Sequence, residues 1–148
     1  MTKLQAIRWF ASQITPEKVT ICKKRLENNW AIDLAVQQKT PRLLIPKNLQ
    51  TNDVMDKIFR KNFVERCPLA RGFSNATIAI LHEFGHWATR SVFDIGVYDK
   101  IRSKATTQEE YMANPYERLA TEWAICWLQS ILNRSIAKQF ERYFFGHE

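Results

Sequence analysis

The stretch from Ala76 to Trp87 reads Ala-Thr-Ile-Ala-Ile-Leu-His-Glu-Phe-Gly-His-Trp. An apolar run of this kind, preceded by Ser74 or Asn75 as a capping residue, predicts a buried helix over roughly 75–90. Three ionisable side chains fall between Ala76 and Trp87: His82, Glu83 and His86. Buried polar groups are costly unless something satisfies them. Whatever fold the chain adopts must therefore bring a partner to this helix.

His82-Glu83-Phe84-Gly85-His86 fits the pattern HExxH. Histidines at i and i+4 lie on one face of a helix, about one turn apart. Both imidazoles can then reach a single Zn²⁺ at about 2.0–2.1 Å. Glu83 is offset by about 100°, beside the metal rather than on it, and is the candidate general base. Zinc lowers the pKa of a water bound to it and polarises a substrate carbonyl, so attack can occur at neutral pH. Gly85 lets another backbone or a substrate approach closely. By chance this pattern arises in such a chain with a probability on the order of 0.5%. Two of only three histidines fall within it, which favours a site over coincidence. The alternative is a pair of core histidines bonded to backbone or carboxylates.

A catalytic zinc site takes three protein ligands and leaves one position open. His147 is a poor third ligand because it is penultimate. The acidic residues after the motif are Asp94, Asp99, Glu109, Glu110, Glu117, Glu122, Glu141 and Glu148. Asn114-Pro115 predicts a helix start, with Asn114 as N-cap and proline in the first turn, and a helix to about Asn133. On that helix Glu117 falls centrally in the apolar stripe of Ala120, Thr121, Ala124, Leu128 and Ile131. Glu122 shares the polar face with Arg118, Gln129 and Asn133. Glu117 is therefore the expected third ligand and Glu122 the runner-up. Asp94, Asp99 or a backbone carbonyl could orient the imidazoles. Tyr98, Tyr111 and Tyr116 are candidates for oxyanion stabilisation. Trp87, Trp123 and Trp127 are expected to pack the two-helix core.

Elsewhere, Leu4, Ile7, Trp9, Phe10 and Ile14 predict an N-terminal helix over 2–13, closed by Pro16. Residues 18–22 fit a strand or a helical turn. Trp30 to Val36 alternates like a half-buried strand, Thr40-Pro41 marks a turn, and Leu43-Leu44-Ile45 is a second strand. The two together suggest a small antiparallel sheet. Val54, Ile58, Phe59 and Phe63 predict a helix over 53–64. Residues 65–73 read as a loop and 91–113 as a long polar connection, which in a compact domain is often functional. A last helix is expected over 135–145.

The chain has 148 residues, which fits one domain with a core of its own. No apolar run approaches the roughly 20 residues of a membrane span, and no signal peptide is evident. Cys22, Cys67 and Cys126 form no CxxC pair, so they read as reduced, mostly buried thiols of a cytoplasmic protein. The net charge of +7 is uneven: residues 1–73 hold 14 Lys/Arg against 6 Asp/Glu, and residues 74–148 hold 8 against 9. The basic half could face an acidic partner, including nucleic acid, or simply solvent.

His82-Glu83-Phe84-Gly85-His86-Trp87, followed by Glu117-Arg-Leu-Ala120-Thr-Glu-Trp123-Ala124, resembles the ImmA/IrrE metallopeptidases. Their pattern is HExGH and then ExxAxxFA, the first Glu of the latter being the third zinc ligand. Trp123 stands where Phe is usual, and Thr121 where Asn or Asp is common. The likeness covers about residues 28–132, and only the two motifs are specific. It implies a cytoplasmic zinc endopeptidase that cleaves one regulatory protein, such as a helix-turn-helix transcriptional repressor. A weaker resemblance is to the metallopeptidase domain of ArdC-type antirestriction proteins. That likeness would make nucleic acid, held by the basic N-terminal half, an alternative partner. The expected architecture is α+β: a single zincin-like domain over 1–148, mainly helical with a small antiparallel sheet. His82, His86 and Glu117 would be the metal ligands and Glu83 the catalytic residue. A general secreted peptidase is disfavoured by the missing signal peptide and disulfides. A peptide deformylase is disfavoured by the missing glycine- and cysteine-bearing motifs.

Overall fold

The computed structural model describes residues 1–23, 31–33, 40–46, 49, 58–92, 110 and 113–146. Within these it is a mainly helical α+β protein. Helices α1 (Lys3–Ile14), α2 (Arg60–Arg66), α3 (Asn75–Ala88), α4 (Pro115–Gln129) and α5 (Ile131–Phe145) accompany strands β1 (Thr20–Lys23), β2 (Ala31–Asp33) and β3 (Arg42–Ile45). No helix among the described residues is long and apolar enough to cross a membrane.

α1 starts in a capping box. The Gln5 backbone N–H donates to Thr2 Oγ1 at 3.1 Å, and the Thr2 N–H donates to Gln5 Oε1 at 2.8 Å, which satisfies two end groups at once. Its buried face, Ala6, Ile7, Phe10 and Ala11, packs on α5. Phe10 stacks on Phe140 with ring centroids 4.4 Å apart, and Trp9 meets Tyr143 edge-on at 5.1 Å.

The sheet has the order β1-β3-β2. β2 runs antiparallel to β3, with Ile32 opposite Leu43. β1 runs parallel to β3, with Ile21 opposite Leu43. The sheet is thus mixed, and the antiparallel expectation holds for one pair only. Alternation identifies a strand but carries no information on which neighbour it meets or in which direction. The parallel pair is possible because the chain between β1 and β3 includes β2 and is long enough to return. Leu43 and Ile45 of central β3 are fully buried, while Arg42 and Leu44, which alternate with them, are half-buried.

α3 is the central element. Of its residues only Asn75, Glu83 and Ala88 are not buried, so it is enclosed on nearly every side. Thr77, Ile78, Ile80 and Gly85 are indifferent helix formers, so packing rather than propensity holds this helix. Each fully buried Ile, Leu or Phe along it contributes about 1.5–3 kcal/mol. Ser74 caps its start through the Thr77 N–H, at 3.3 Å. A second cap comes from α5: Glu141 Oε1 accepts from the Ser74 N–H at 2.5 Å and from Thr77 Oγ1 at 2.6 Å. A carboxylate is also favoured there by the helix dipole.

Three boundaries differ from expectation. Residues 65–73 are not a plain loop, because α2 continues to Arg66 and Pro68–Gly72 forms a 3₁₀ helix. The predicted helix over 53–64 lies partly outside the described residues, and α2 accounts for its end. α4 stops at Gln129 instead of Asn133, because Ser130 turns extended and accepts from the Asn133 N–H to start α5. Ile131, expected on the apolar stripe of α4, is consequently 74% exposed. Cys67 is buried, but Cys22 is half-buried and Cys126 exposed, so burial is not general for the thiols. The strand expected over 30–36 is described only at β2, and most of the 91–113 connection, with Asp94, Tyr98, Asp99, Glu109 and Tyr111, lies outside the described residues.

Candidate metal centre

α3 and α4 make the most extensive helix–helix contact of the described structure, and their small residues allow it. A Cβ added to Gly85 would lie 2.3 Å from the backbone oxygen of Ala120. Ala120 and Ala124 are fully buried. Asn114 caps α4, its Oδ1 accepting from the Tyr116 N–H at 2.8 Å, and Pro115 follows in the first turn. This start places Glu117 in the first turn of α4, opposite the two histidines.

His82 Nε2 lies 2.8 Å and His86 Nε2 lies 3.0 Å from Glu117 Oε2. The three side chains are nearly closed to solvent, at 4%, 5% and 2% exposure. Their donor atoms all lie within 4.8 Å of one another. Burial alone would raise the Glu117 pKa. The hydrogen bonds and charges of His82 and His86 outweigh that and hold its carboxyl well below the usual range.

This donor set fits a divalent metal. Two imidazoles and a carboxylate are ligands that zinc accepts. A tetrahedral ion with bonds of 2.0–2.1 Å needs donors about 3.3 Å apart, a few tenths of an ångström more than the two separations from Glu117. The same contacts let the three groups satisfy one another as hydrogen-bonding partners. The structure thus joins the three groups the sequence singled out.

Both histidines are held by further side chains. His82 Nδ1 lies 3.0 Å from Thr121 Oγ1, and Phe59 meets the His82 ring edge-on at 4.7 Å. The His86 ring lies flat against Tyr116, with centroids 4.3 Å apart and an interplanar angle of 18°. Tyr116, one of three candidate tyrosines for oxyanion stabilisation, is buried and packs on His86. The contact to Thr121 was not foreseen. Its signal was present, since Thr121 stands four residues after Glu117 on the same helix face.

Glu83 is the one half-buried residue in the middle of α3. Glu122 is exposed and pairs with Arg66 at 3.2 Å, away from the cluster, as its place on the polar face implies. Trp87 is buried, while Trp123 and Trp127 are partly buried against the core. The Trp87 indole N–H donates to Glu17 Oε2, and the Arg90 guanidinium lies 3.7 Å over the Trp87 ring. These contacts tie the segment after α1 to the C-terminal end of α3.

No protein-family model, curated protein or solved structure matches this chain. The centre is therefore read from its own chemistry.

Proposed function

We propose that this chain is a zinc-dependent endopeptidase of zincin-like architecture, acting on a specific regulatory protein such as a helix-turn-helix repressor. The observation that carries the reading is the convergence of His82, His86 and Glu117 from two helices, with Glu83 on the same helix and set to one side. The resemblance of both motifs to the ImmA/IrrE metallopeptidases supports the protein substrate and a cytoplasmic setting.

His82, His86 and Glu117 would hold the metal. When bound, zinc supplies Lewis acidity, which polarises a peptide carbonyl and acidifies water. Glu83 is the group that takes a proton from the attacking water and hands it to the leaving amine. Its half-buried position supports that role, since such a residue can meet a substrate that the three buried side chains do not. The packing of α4 on Gly85, and of Tyr116 on His86, fixes the ligands before substrate arrives, so little reorganisation is left to the reaction.

The test has two stages. Purified wild-type protein should carry close to one zinc per chain, and Glu117→Ala should lose it. Wild type and Glu83→Gln are then incubated with extract of the host cell, and new protein N-termini are quantified. The reading expects new termini on one or very few proteins with wild type alone. Cleavage retained by Glu83→Gln would remove Glu83 from the mechanism, and a zinc-free wild type would end the peptidase reading.

A further inference from the structure

We propose that the outer face of α5 docks on the phosphate backbone of duplex DNA through Arg134, Lys138 and Arg142. The inference uses no metal and so stands apart from the peptidase reading.

Counted along the chain, the excess of positive charge belongs to residues 1–73. The fold redistributes it. α1 and α5, from opposite ends of the sequence, pack side by side. α1 carries Lys3 and Arg8 and no acid, and α5 carries Arg134, Lys138 and Arg142 against Glu141 alone. Glu141 accepts from the Ser74 N–H and the Thr77 hydroxyl, so its charge is committed to the start of α3.

Arg134, Lys138 and Arg142 recur every four residues, which makes one ridge along a helix. Successive cations stand about 6 Å apart along the axis. Lys138 and Arg142 are exposed and Arg134 is half-buried. Among the described residues none of the three enters an ion pair. Like charges at this spacing repel one another and weaken a helix. An anion laid along the row removes that cost.

The chemistry of the face selects the occupant. Ser135 and Gln139 flank the ridge, and exposed Ile131 and Phe145 lie beyond its two ends. A protein partner is anchored by aromatic and apolar side chains near the centre of the contact, and the ridge has none there. A membrane surface takes up the apolar face of a helix, and the apolar face of α5, with Ala137, Phe140 and Phe144, is already buried. A single strand stacks its bases on exposed aromatics, which the ridge also lacks between Arg134 and Arg142. Arg, Lys, Ser and Gln are side chains that contact phosphate. A duplex offers one charge per about 1.7 Å of its axis, so a ridge about 12 Å long meets several phosphates together.

The experiment follows binding of the whole chain to a labelled DNA duplex of mixed sequence, by fluorescence anisotropy between about 50 and 200 mM salt. Each phosphate contact contributes about −0.9 to the slope of log affinity against log salt. Wild type should show a slope of about −2.7 or steeper, so that affinity falls about 40-fold or more over this range. Arg134→Gln, Lys138→Gln and Arg142→Gln together should make the slope shallower by about 2.7, and Lys138→Gln alone by about 0.9. The single variant keeps the test decisive if the triple variant does not fold. Lys61→Gln, Arg66→Gln and Arg71→Gln together change net charge equally at exposed residues outside α5 and should keep the wild-type slope. No binding by wild type at the low-salt end, or equal loss of slope in the two triple variants, would overturn the proposal. So would ridge-dependent binding to phosphatidylserine vesicles that is tighter than binding to DNA. Ridge-dependent DNA binding by a wild type that takes up no zinc would sink the peptidase reading alone. A zinc peptidase whose DNA affinity ignores the ridge would sink this inference alone.

Discussion

The Cα of Gly85 faces the backbone carbonyl of Ala120 so closely that a Cβ there would stand 2.3 Å from the carbonyl oxygen. The obstacle is backbone, so no side-chain rotation relieves it. Gly85→Ala should gain about 1 kcal/mol in helix propensity and lose about 1–3 kcal/mol or more to overpacking. The net expectation is a less stable protein. Separation of α3 from α4 also pulls Glu117 away from His82 and His86, so zinc affinity should fall as well. Urea unfolding and chelator competition on the same preparation check both.

Glu122→Ala separates the two acidic residues of α4. Its pair with Arg66 is exposed on both sides, at 32% and 49%, and such pairs contribute about 0–1 kcal/mol. Zinc content should be unchanged and stability nearly so. Loss of zinc in Glu122→Ala, with Glu117→Ala retaining it, would exchange the roles assigned to these residues.

Acid should weaken the fold in part through Glu117. In chelator-treated protein its ionised form contributes stability that is complete above the unfolded pKa of about 4.3 and is lost as pH falls through the lower folded value. The wild-type urea midpoint should therefore decline on acidification below that point. Glu117→Gln has no such proton to take up, so its midpoint should decline less over the same interval. Parallel curves would show that the carboxylate contributes no such pH-dependent term.

Glu141→Ala removes the distant cap of α3. The Ser74 N–H and the Thr77 hydroxyl both donate to this carboxylate, and Thr77 is fully buried. Loss of a cap of this kind costs about 1–2 kcal/mol. For a chain of this size that lowers the thermal midpoint by about 2–8 °C. Zinc stoichiometry at saturation should stay at the wild-type value, because the change lies two turns from His82.

Ile131→Lys should be nearly silent, within about 0.5 kcal/mol of wild type, because Ile131 is 74% exposed. The same substitution at Leu128, which is fully buried, should cost several times more. A continuous α4 would have made the two positions alike, so the comparison tests the break at Ser130 by thermal melts.

What the sequence revealed, and what it hid, follows from the range of the interactions. The motif helix, its Ser74 cap and the Asn114-Pro115 start of α4 are set by neighbours within one turn, and all were legible. Glu117 was legible too, because an acidic residue inside an apolar stripe needs a reason. The break at Ser130 was hidden: the apolar period runs through it, and a serine can be a helix interior residue or a cap depending on the turn it meets. The parallel pairing of β1 and the docking of Glu141 on Ser74 were not visible, since neither leaves a periodic trace. Thr121 lay between these cases. Its face was predictable, but its hydrogen bond needed the separation of α3 and α4.

The cap on α3 also has a meaning for synthesis. Ser74 and its carboxylate partner stand 67 positions apart, and at about 5–20 residues per second a ribosome needs on the order of 10 s to cover that interval. Until Glu141 emerges the motif helix lacks its distant cap, and in the first part of that interval, before Pro115–Gln129 is made, it also lacks the α4 face that shields its histidines. In that first part it is an apolar segment with His82 and His86 in the open. Nascent chains stalled before α4 should therefore be the species that chaperones hold.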